Sequence, residues 1–469
     1  MASIDTDYLI IGSGAVGMAF ADTLLDETDA HITIVDRHGK PGGHWNDAYP
    51  FVALHQPSAF YGVNSTLLGS GEKDVTGLNK GFYELATGSE VNSYFERVMH
   101  QRFVPSGRVS YFPMSDYLGD GCFVSLLSGE ETAVSIRKKT VDATYYGTNV
   151  PSTHTPKFTF GKDVCVIPPN GLPQLWQGKA ARPDKFVILG AGKTAMDVGI
   201  WLLRSGAKAD DIIWVTPRDS WLLNRNTTQP GAEFFHQTIG GQLSIMQALS
   251  QASDADELFE RLENAGVMLR IDAGTNPSMF HYATISEGEV AMLQGIKNVV
   301  RLGRVSAIGA GGMQMEQGDY PVTGNPVYID CTATAVERRP VVPQFQGNLI
   351  TLQMIRVPQP AFSAALTAFI EAKFDDEETK NRLGVPVPLP DGIEQYPAAS
   401  MTNMMNQVAW TQNEVVREWI LNSRLDGFGK TIASVGPDEP DKLAVLTQFR
   451  SQAMAAMGNI PKLMAQVTN

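Results

Sequence analysis

The period of the apolar positions changes twice within the first 36 residues. Tyr8-Leu9-Ile10-Ile11 is an unbroken run of strand length, Ala19, Leu24 and Leu25 recur at helical spacing, and His31-Ile32-Thr33-Ile34-Val35 returns to a strand that ends on Asp36. Strand, helix, strand predicts a βαβ unit. The same order comes back at Phe186-Val187-Ile188-Leu189, at the helical positions Ile200, Trp201 and Leu203, and at Ile212-Ile213-Trp214-Val215. Two such units predict an α/β protein with two Rossmann-like dinucleotide-binding domains.

Between and beyond them the pattern is more varied. Tyr94, Phe95 and Val98 mark a helix over 91–104, and short alternating runs at 109–112, 122–127 and 133–137 predict an antiparallel excursion from the first domain. Val141 to Tyr146 reads as a returning strand, and the Pro/Thr-rich stretch 147–156 as a connector. Helices are predicted at 242–249 and 254–263, the second capped at Ser253-Asp254, followed by strands within 299–308. Arg356 to Phe362 opens a helix over 363–372. Met401, Met404, Met405, Val408, Val415, Trp419 and Ile420 recur at helical spacing, as do Leu446, Phe449, Ala453 and Met457, so the C-terminal region is helical. Met-rich stripes of this kind are core more often than pocket.

Glycine placement gives the two units their chemistry. In the first, Gly12 permits the tight turn, Gly14 a close backbone approach to a pyrophosphate, and Gly17 close packing of helix on sheet. A carboxylate at Asp36 accepts from a ribose 2′-OH and repels a 2′-phosphate, which selects FAD or NAD over NADP. Arg37 beside it is grouped with the cofactor-binding residues. In the second unit Gly190 and Gly192 form the turn, Lys193 and Thr194 continue it, and Ala195 is the small third residue. No acid ends that unit's second strand. Arg218 stands there instead, suited to the 2′-phosphate of NADPH through charge-assisted hydrogen bonds, and Lys193 adds positive charge beside the phosphates.

Charge and composition narrow the partners. Thirty-seven Lys and Arg against 50 Asp and Glu give a net charge of −13, with no basic block, so nucleic acid is not expected. No apolar run reaches bilayer-spanning length and no signal peptide is evident, which leads to the expectation of a soluble, cytoplasmic protein without membrane contact. Three scattered cysteines, Cys122, Cys165 and Cys331, argue against a metal site or a redox disulfide.

After Asp36 come Gly42-Gly43-His44-Trp45 and then Tyr49-Pro50. On these residues and the two glycine fingerprints, the sequence resembles the flavin-dependent monooxygenases with two dinucleotide-binding domains, which include the dimethylaniline and Baeyer–Villiger monooxygenases. The resemblance implies a second domain inserted in the first: an FAD domain from 1–180 and 326–469, and an NADPH domain at 181–325. It implies FAD in the first site with Gly43 and Trp45 along the isoalloxazine, Asn64 near the reactive edge of the flavin, and Asp330 in a strand re-entering the FAD domain. The helix opened by Pro360 is placed with its N-terminus toward the pyrimidine ring, where its dipole favours negative charge on reduced flavin. His44 and His55 are candidate proton donors or substrate contacts, since imidazole titrates near neutrality.

The implied activity is oxidoreduction by a flavoprotein: hydride transfer from NADPH to FAD, then insertion of one atom of O2 into a small organic substrate through a C4a-peroxyflavin. Two departures keep other readings open. Phe51 replaces the glycine of the family's Tyr-Pro-Gly-x-x-x-Asp pattern with His55 near the acid, and 158–177 lacks the Phe-x-Gly-x-x-x-His motif. A reductase or oxidase without oxygen transfer and a non-catalytic FAD-binding sensor or scaffold are the alternatives. Homo-oligomerisation is left open.

Overall fold

In the computed structural model, residues 2–177, 182–334 and 336–466 are described. The domain boundary expected at 180–181 falls outside them. Ala2–Ile11 forms the middle of an eight-stranded sheet, parallel to Ile32–Val35 on one side and to Glu131–Asp142 on the other. Leu9 and Ile10 are fully buried, one toward each face, which is why the strand reads as an unbroken apolar run. Val109–Phe112, expected in the antiparallel excursion, is instead a parallel strand beside Ile32–Val35. The antiparallel part is the hairpin Ser115–Gly119 and Cys122–Ser125, which pairs with Glu131–Asp142.

Helix Ala15–Glu27 covers one face of this sheet and packs against helix Pro360–Lys373. Eleven of the fourteen residues of Pro360–Lys373 are buried, so it is an interior helix, apolar almost all round.

The second sheet is parallel, in the order Val299–Val300, Ile212–Val215, Lys185–Leu189, Pro326–Asp330, Cys165–Ile167. This corrects the expected re-entry point. The strand Pro326–Asp330 does not return to the first sheet but lies parallel to Lys185–Leu189, so Asp330 ends a central strand of the second sheet. Val327, Tyr328 and Ile329 are all buried, with apolar cores on both faces, as a central strand requires. The return to the first sheet is made by Leu349–Thr351, parallel to Glu131–Asp142. Residues before 178 also belong here, since Cys165–Ile167 is the edge strand.

A third, three-stranded sheet of Met268–Leu269, Ser220–Asn224 and Met279–Ile285 carries helices Phe235–Gln251 and Ala255–Asn264. Asp254 caps the latter by accepting from the Glu257 N–H. This layer shares a core with the C-terminal helices Tyr396–Gln412 and Pro440–Ala465, and Met401, Met404, Phe449 and Ala453 pack into it. Met405, Val408 and Val415 face outward. Among the described residues no helix is long and apolar enough to cross a membrane.

The tightest backbone contact in the first unit gives a test. A Cβ on Gly17 would lie 2.0 Å from the Gly12 carbonyl oxygen, whereas one on Gly192 would meet nothing within 4 Å. Gly17→Ala is expected to cost about 1–3 kcal/mol through forced separation of helix and turn, and Gly192→Ala to be close to neutral, read as shifts in thermal unfolding.

Candidate nucleotide sites and the contacts between them

Both glycine turns occur at strand-to-helix corners. Gly12 and Gly190 have φ of +100° and +120°, a region that side chains rarely adopt. Each donates its N–H to the end of the neighbouring strand, Gly12 to the Val35 carbonyl at 2.8 Å and Gly190 to that of Val215 at 3.0 Å. The helices that follow, Ala15–Glu27 and Lys193–Arg204, begin at Gly14 and Gly192 with no side-chain cap. Their first-turn N–H groups are therefore available to phosphate oxygens, and the donor set at each corner fits a dinucleotide pyrophosphate.

A second correspondence was missed in the sequence. Asp142-Ala143-Thr144 and Asp330-Cys331-Thr332 end equivalent strands. In each the aspartate accepts from the threonine two residues on, through N–H and Oγ, at 2.8 and 2.6 Å in the first and 2.9 and 2.6 Å in the second. Thr144 then passes close to Gly12, and the Cys331 carbonyl close to Gly190. Asp330 also holds His154 at 2.9 Å, which pins the connector to the second sheet. The signal was the repeated Asp-x-Thr after a strand.

The ends of the second strands differ as expected in charge, with an added constraint on the first. Asp36 is buried and accepts from four donors: Ser13 N–H and Oγ at 2.5 and 2.8 Å, and His38 N–H and Nδ1 at 2.7 and 3.0 Å. All its strong acceptor positions are used, so a ribose hydroxyl has to displace one of these partners. Burial opposes ionisation of Asp36, but the His38 and Ser13 hydrogen bonds outweigh it and hold the carboxyl below its ordinary value. His38 bridges Asp36 and Asp47 and is raised to about 9, chiefly by the Asp36 hydrogen bond. Arg218 is exposed, and no carboxylate pairs with it among the described residues. Partial burial, then Arg304 and Arg338, lower its pKa against the opposing charge of Glu316; Arg304 and Arg338 are themselves paired with Glu316 and Asp391.

The gly-rich loop lies directly on the first turn: a Cβ on Gly43 would be 3.0 Å from the Gly14 Cα, and Gly42 N–H donates to the Ser13 carbonyl at 2.9 Å. Other expected site residues are engaged elsewhere. Arg37 points out to a bidentate ion pair with Asp116 at 2.7 and 3.0 Å. Trp45 is in the core, its indole N–H on the Tyr61 hydroxyl at 2.8 Å. Asn64 accepts from Ser423 Oγ and Arg424 N–H at 2.8 and 3.1 Å, while the Arg424 guanidinium binds the carbonyls of Ala59, Tyr61 and Val63. Asn64 thus latches the loop to the C-terminal helices. Burial lowers His44 to about 4 and, with help from Lys193 and Arg225, His55 to about 3, so neither is a proton donor by titration near neutrality. Pro360 starts its helix without a side-chain cap at Gln359.

Lys193 is not free beside the phosphates. Its ammonium is held by Asp197 and lies 3.7 Å from Glu289. Asp197 accepts from the Tyr49 hydroxyl at 2.8 Å, which joins the first-domain loop to the second-domain helix, and Phe51 stacks on Trp201 of that helix at 4.8 Å. Glu289 pairs at 2.6 Å with Arg225, a guanidinium only 1% exposed. Burial opposes ionisation of Glu289, yet Lys193 and Arg225 hold it at about 2. Arg225 in turn donates to the His55 carbonyl at 3.1 Å. Of this group, Glu289 had a readable signal, the Ser286-x-x-Glu289 capping box, and Asp197 one in its i,i+4 spacing from Lys193; Arg225 had none, since its partners are distant in sequence.

Residues 10–63 match the NAD(P)-binding Rossmann-like domain family. Uncharacterized proteins of Mycobacterium tuberculosis (strain ATCC 25618 / H37Rv) and Mycobacterium bovis are each 40% identical over 466 residues, 99% of this chain and 86% of theirs. Among solved structures, a polycyclic ketone monooxygenase from the thermophilic fungus Thermothelomyces thermophila is similar with a TM-score of 0.53 at 13% identity, over 97% of this chain and 88% of that one. An oxidized steroid monooxygenase bound to NADP gives 0.50 at 12%, over 78% and 85%. At these identities the likeness is one of fold, and it agrees with the two-domain architecture expected from the fingerprints.

The Asp36–His38 pair sets a pH dependence. His38 is raised, so its contribution is full below about pH 6.5 and is lost as pH climbs through about 9; that of Asp36 is present above about pH 4 and lost below. Discounted for the partial exposure of His38, its removal by His38→Asn should cost about 1–2 kcal/mol at pH 6. The gap from wild type should close by pH 10, measured by denaturant unfolding at the two values.

Proposed function

We propose an FAD- and NADPH-dependent monooxygenase activity for this chain, which belongs to the family of the mycobacterial proteins described above. The observation that carries the reading is the pair of uncapped glycine corners with opposite charge at their strand ends, Asp36 at one and Arg218 at the other. When bound, NADPH supplies a hydride and FAD the means of passing one oxygen atom of O2 to a small organic substrate.

The chain's own part is binding, orientation and exclusion of water. The first-turn N–H groups after Gly14 and Gly192 hold the two pyrophosphates. Arg218 takes the 2′-phosphate of NADPH. The Gly42-Gly43 backbone lies close enough to the first turn to meet an FAD along its length. Tyr49–Asp197 and Phe51–Trp201 close the space between the two nucleotide bodies, which keeps the reacting groups dry.

An oxidase reading is favoured by one observation: the stretch where the family carries Phe-x-Gly-x-x-x-His is here the edge strand Cys165–Ile167 of the second sheet. The same experiment separates the two. Purified protein should be yellow, bleach with NADPH in the absence of air, and on readmission of air transfer oxygen to an added acceptor. Stoichiometric hydrogen peroxide with every acceptor tried would replace the monooxygenase reading with the oxidase one, and colourless protein that binds no FAD would remove both. Arg218→Ala should raise the KM for NADPH by about 10- to 100-fold and leave that for NADH within about twofold, the loss expected for one charge-assisted phosphate contact.

A further inference from the structure

We propose that His55 is held where the first-domain loop meets the three-stranded sheet as a neutral imidazole whose Nε2–H is a fixed hydrogen-bond donor for a substrate oxygen. Thr284 and Arg225 are its positioning residues. The substrate part rests on the monooxygenase reading, while the tautomer rests on geometry that does not need it.

Two groups from the three-stranded sheet and its continuation grip His55, which belongs to a first-domain loop. Arg225 Nε donates to its carbonyl at 3.1 Å, and the Thr284 N–H donates to its Nδ1 at 3.1 Å. A ring nitrogen that accepts a hydrogen bond carries no proton, so the proton of the neutral ring is on Nε2. Protonating the ring would set Nδ1–H against the Thr284 N–H, donor facing donor.

The availability of that N–H has a structural cause. Met279–Ile285 runs parallel to Ser220–Asn224, but Trp221 faces Phe280 and Leu223 faces Thr284, so the longer strand carries two extra residues between these pairs. Within the bulge Tyr282 is buried at φ +57°, a conformation uncommon for a non-glycine residue. Bulges of this kind re-aim backbone and side chains next to functional sites. Here it directs Thr284 across to the other domain's loop.

The surrounding charges act in the same direction. Lys193 and Arg225 face His55 with positive charge, opposed by Glu289, and with burial they keep the ring uncharged far below neutrality. Arg225 cannot move away cheaply, because Glu289 would lose its 2.6 Å partner and keep only Lys193 at 3.7 Å. His55 is only partly buried, and its Nε2 has no protein partner among the described residues. A partly exposed N–H without a partner is suited to an oxygen acceptor such as a carbonyl.

The test is nitrogen NMR on the full chain labelled with ¹⁵N-histidine, the His55 signals identified by their loss in His55→Gln. The expected spectrum has a bare Nδ1 and a protonated Nε2 that do not titrate between about pH 5.5 and 8.5. A proton on Nδ1, or a titration in that range, overturns the proposal, and the wild-type spectrum alone decides this. Arg225→Gln should bring the second tautomer into the spectrum; an unchanged His55 pattern would remove Arg225 from its role. Cyclohexanone, used as a carbonyl probe, should shift the Nε2 signal, and no shift up to its solubility limit would remove the substrate assignment. A colourless protein with the Nε2–H tautomer intact would sink the flavin reading alone; a yellow one with Nδ1–H would sink this inference alone.

Discussion

The architecture depends on how closely a helix can be pressed against the turn that precedes it. At the first corner Gly17 leaves no room for a methyl group against the Gly12 carbonyl, and Gly12 itself occupies a backbone region that side chains avoid. That closeness aims the uncapped first turn of Ala15–Glu27 at the carboxyl edge of the sheet, where the Gly42-Gly43 loop comes down on it. The second corner repeats the strand–turn–helix order, but Ala195 at the corresponding position shows that its turn leaves room for a methyl group. In both, an Asp-x-Thr turn passes over the glycine and ties the sheet's next strand to the corner, so the cradle is held from both sides.

A second constraint couples the corners. Lys193, Asp197, Glu289 and Arg225 are charges withdrawn from water where the first-domain loops meet the second domain. Each is tolerable only while its partner is in place, because an unpaired buried charge costs several kcal/mol. Tyr49 and the His55 carbonyl bring the first domain into the same set of contacts. The relative placement of the two nucleotide bodies is therefore specified by polar contacts of defined direction, in addition to the apolar contact of Phe51 with Trp201. Of the side chains expected to act as acids or flavin contacts, Asn64 accepts from Ser423 and Arg424, Trp45 packs in the core, and His44 stacks on Trp45.

What the sequence determined by itself is local. Strand length, helical spacing and glycine offsets are short-range properties, and they were enough to locate both βαβ units, the Asp254 cap and the charge difference between Asp36 and Arg218. Tertiary structure decided which sheet each later strand joins and which polar side chains meet. Val327-Tyr328-Ile329 would satisfy either sheet by composition, and only the place beside Lys185–Leu189, apolar on both faces, made it a strand of the second. Arg225 and Glu289, Tyr49 and Asp197, and His55 and Thr284 are pairs separated by at least 64 positions in the chain. No periodicity records such partners, because what selects them is the cost of leaving a buried donor or charge unmet once the domains have come together.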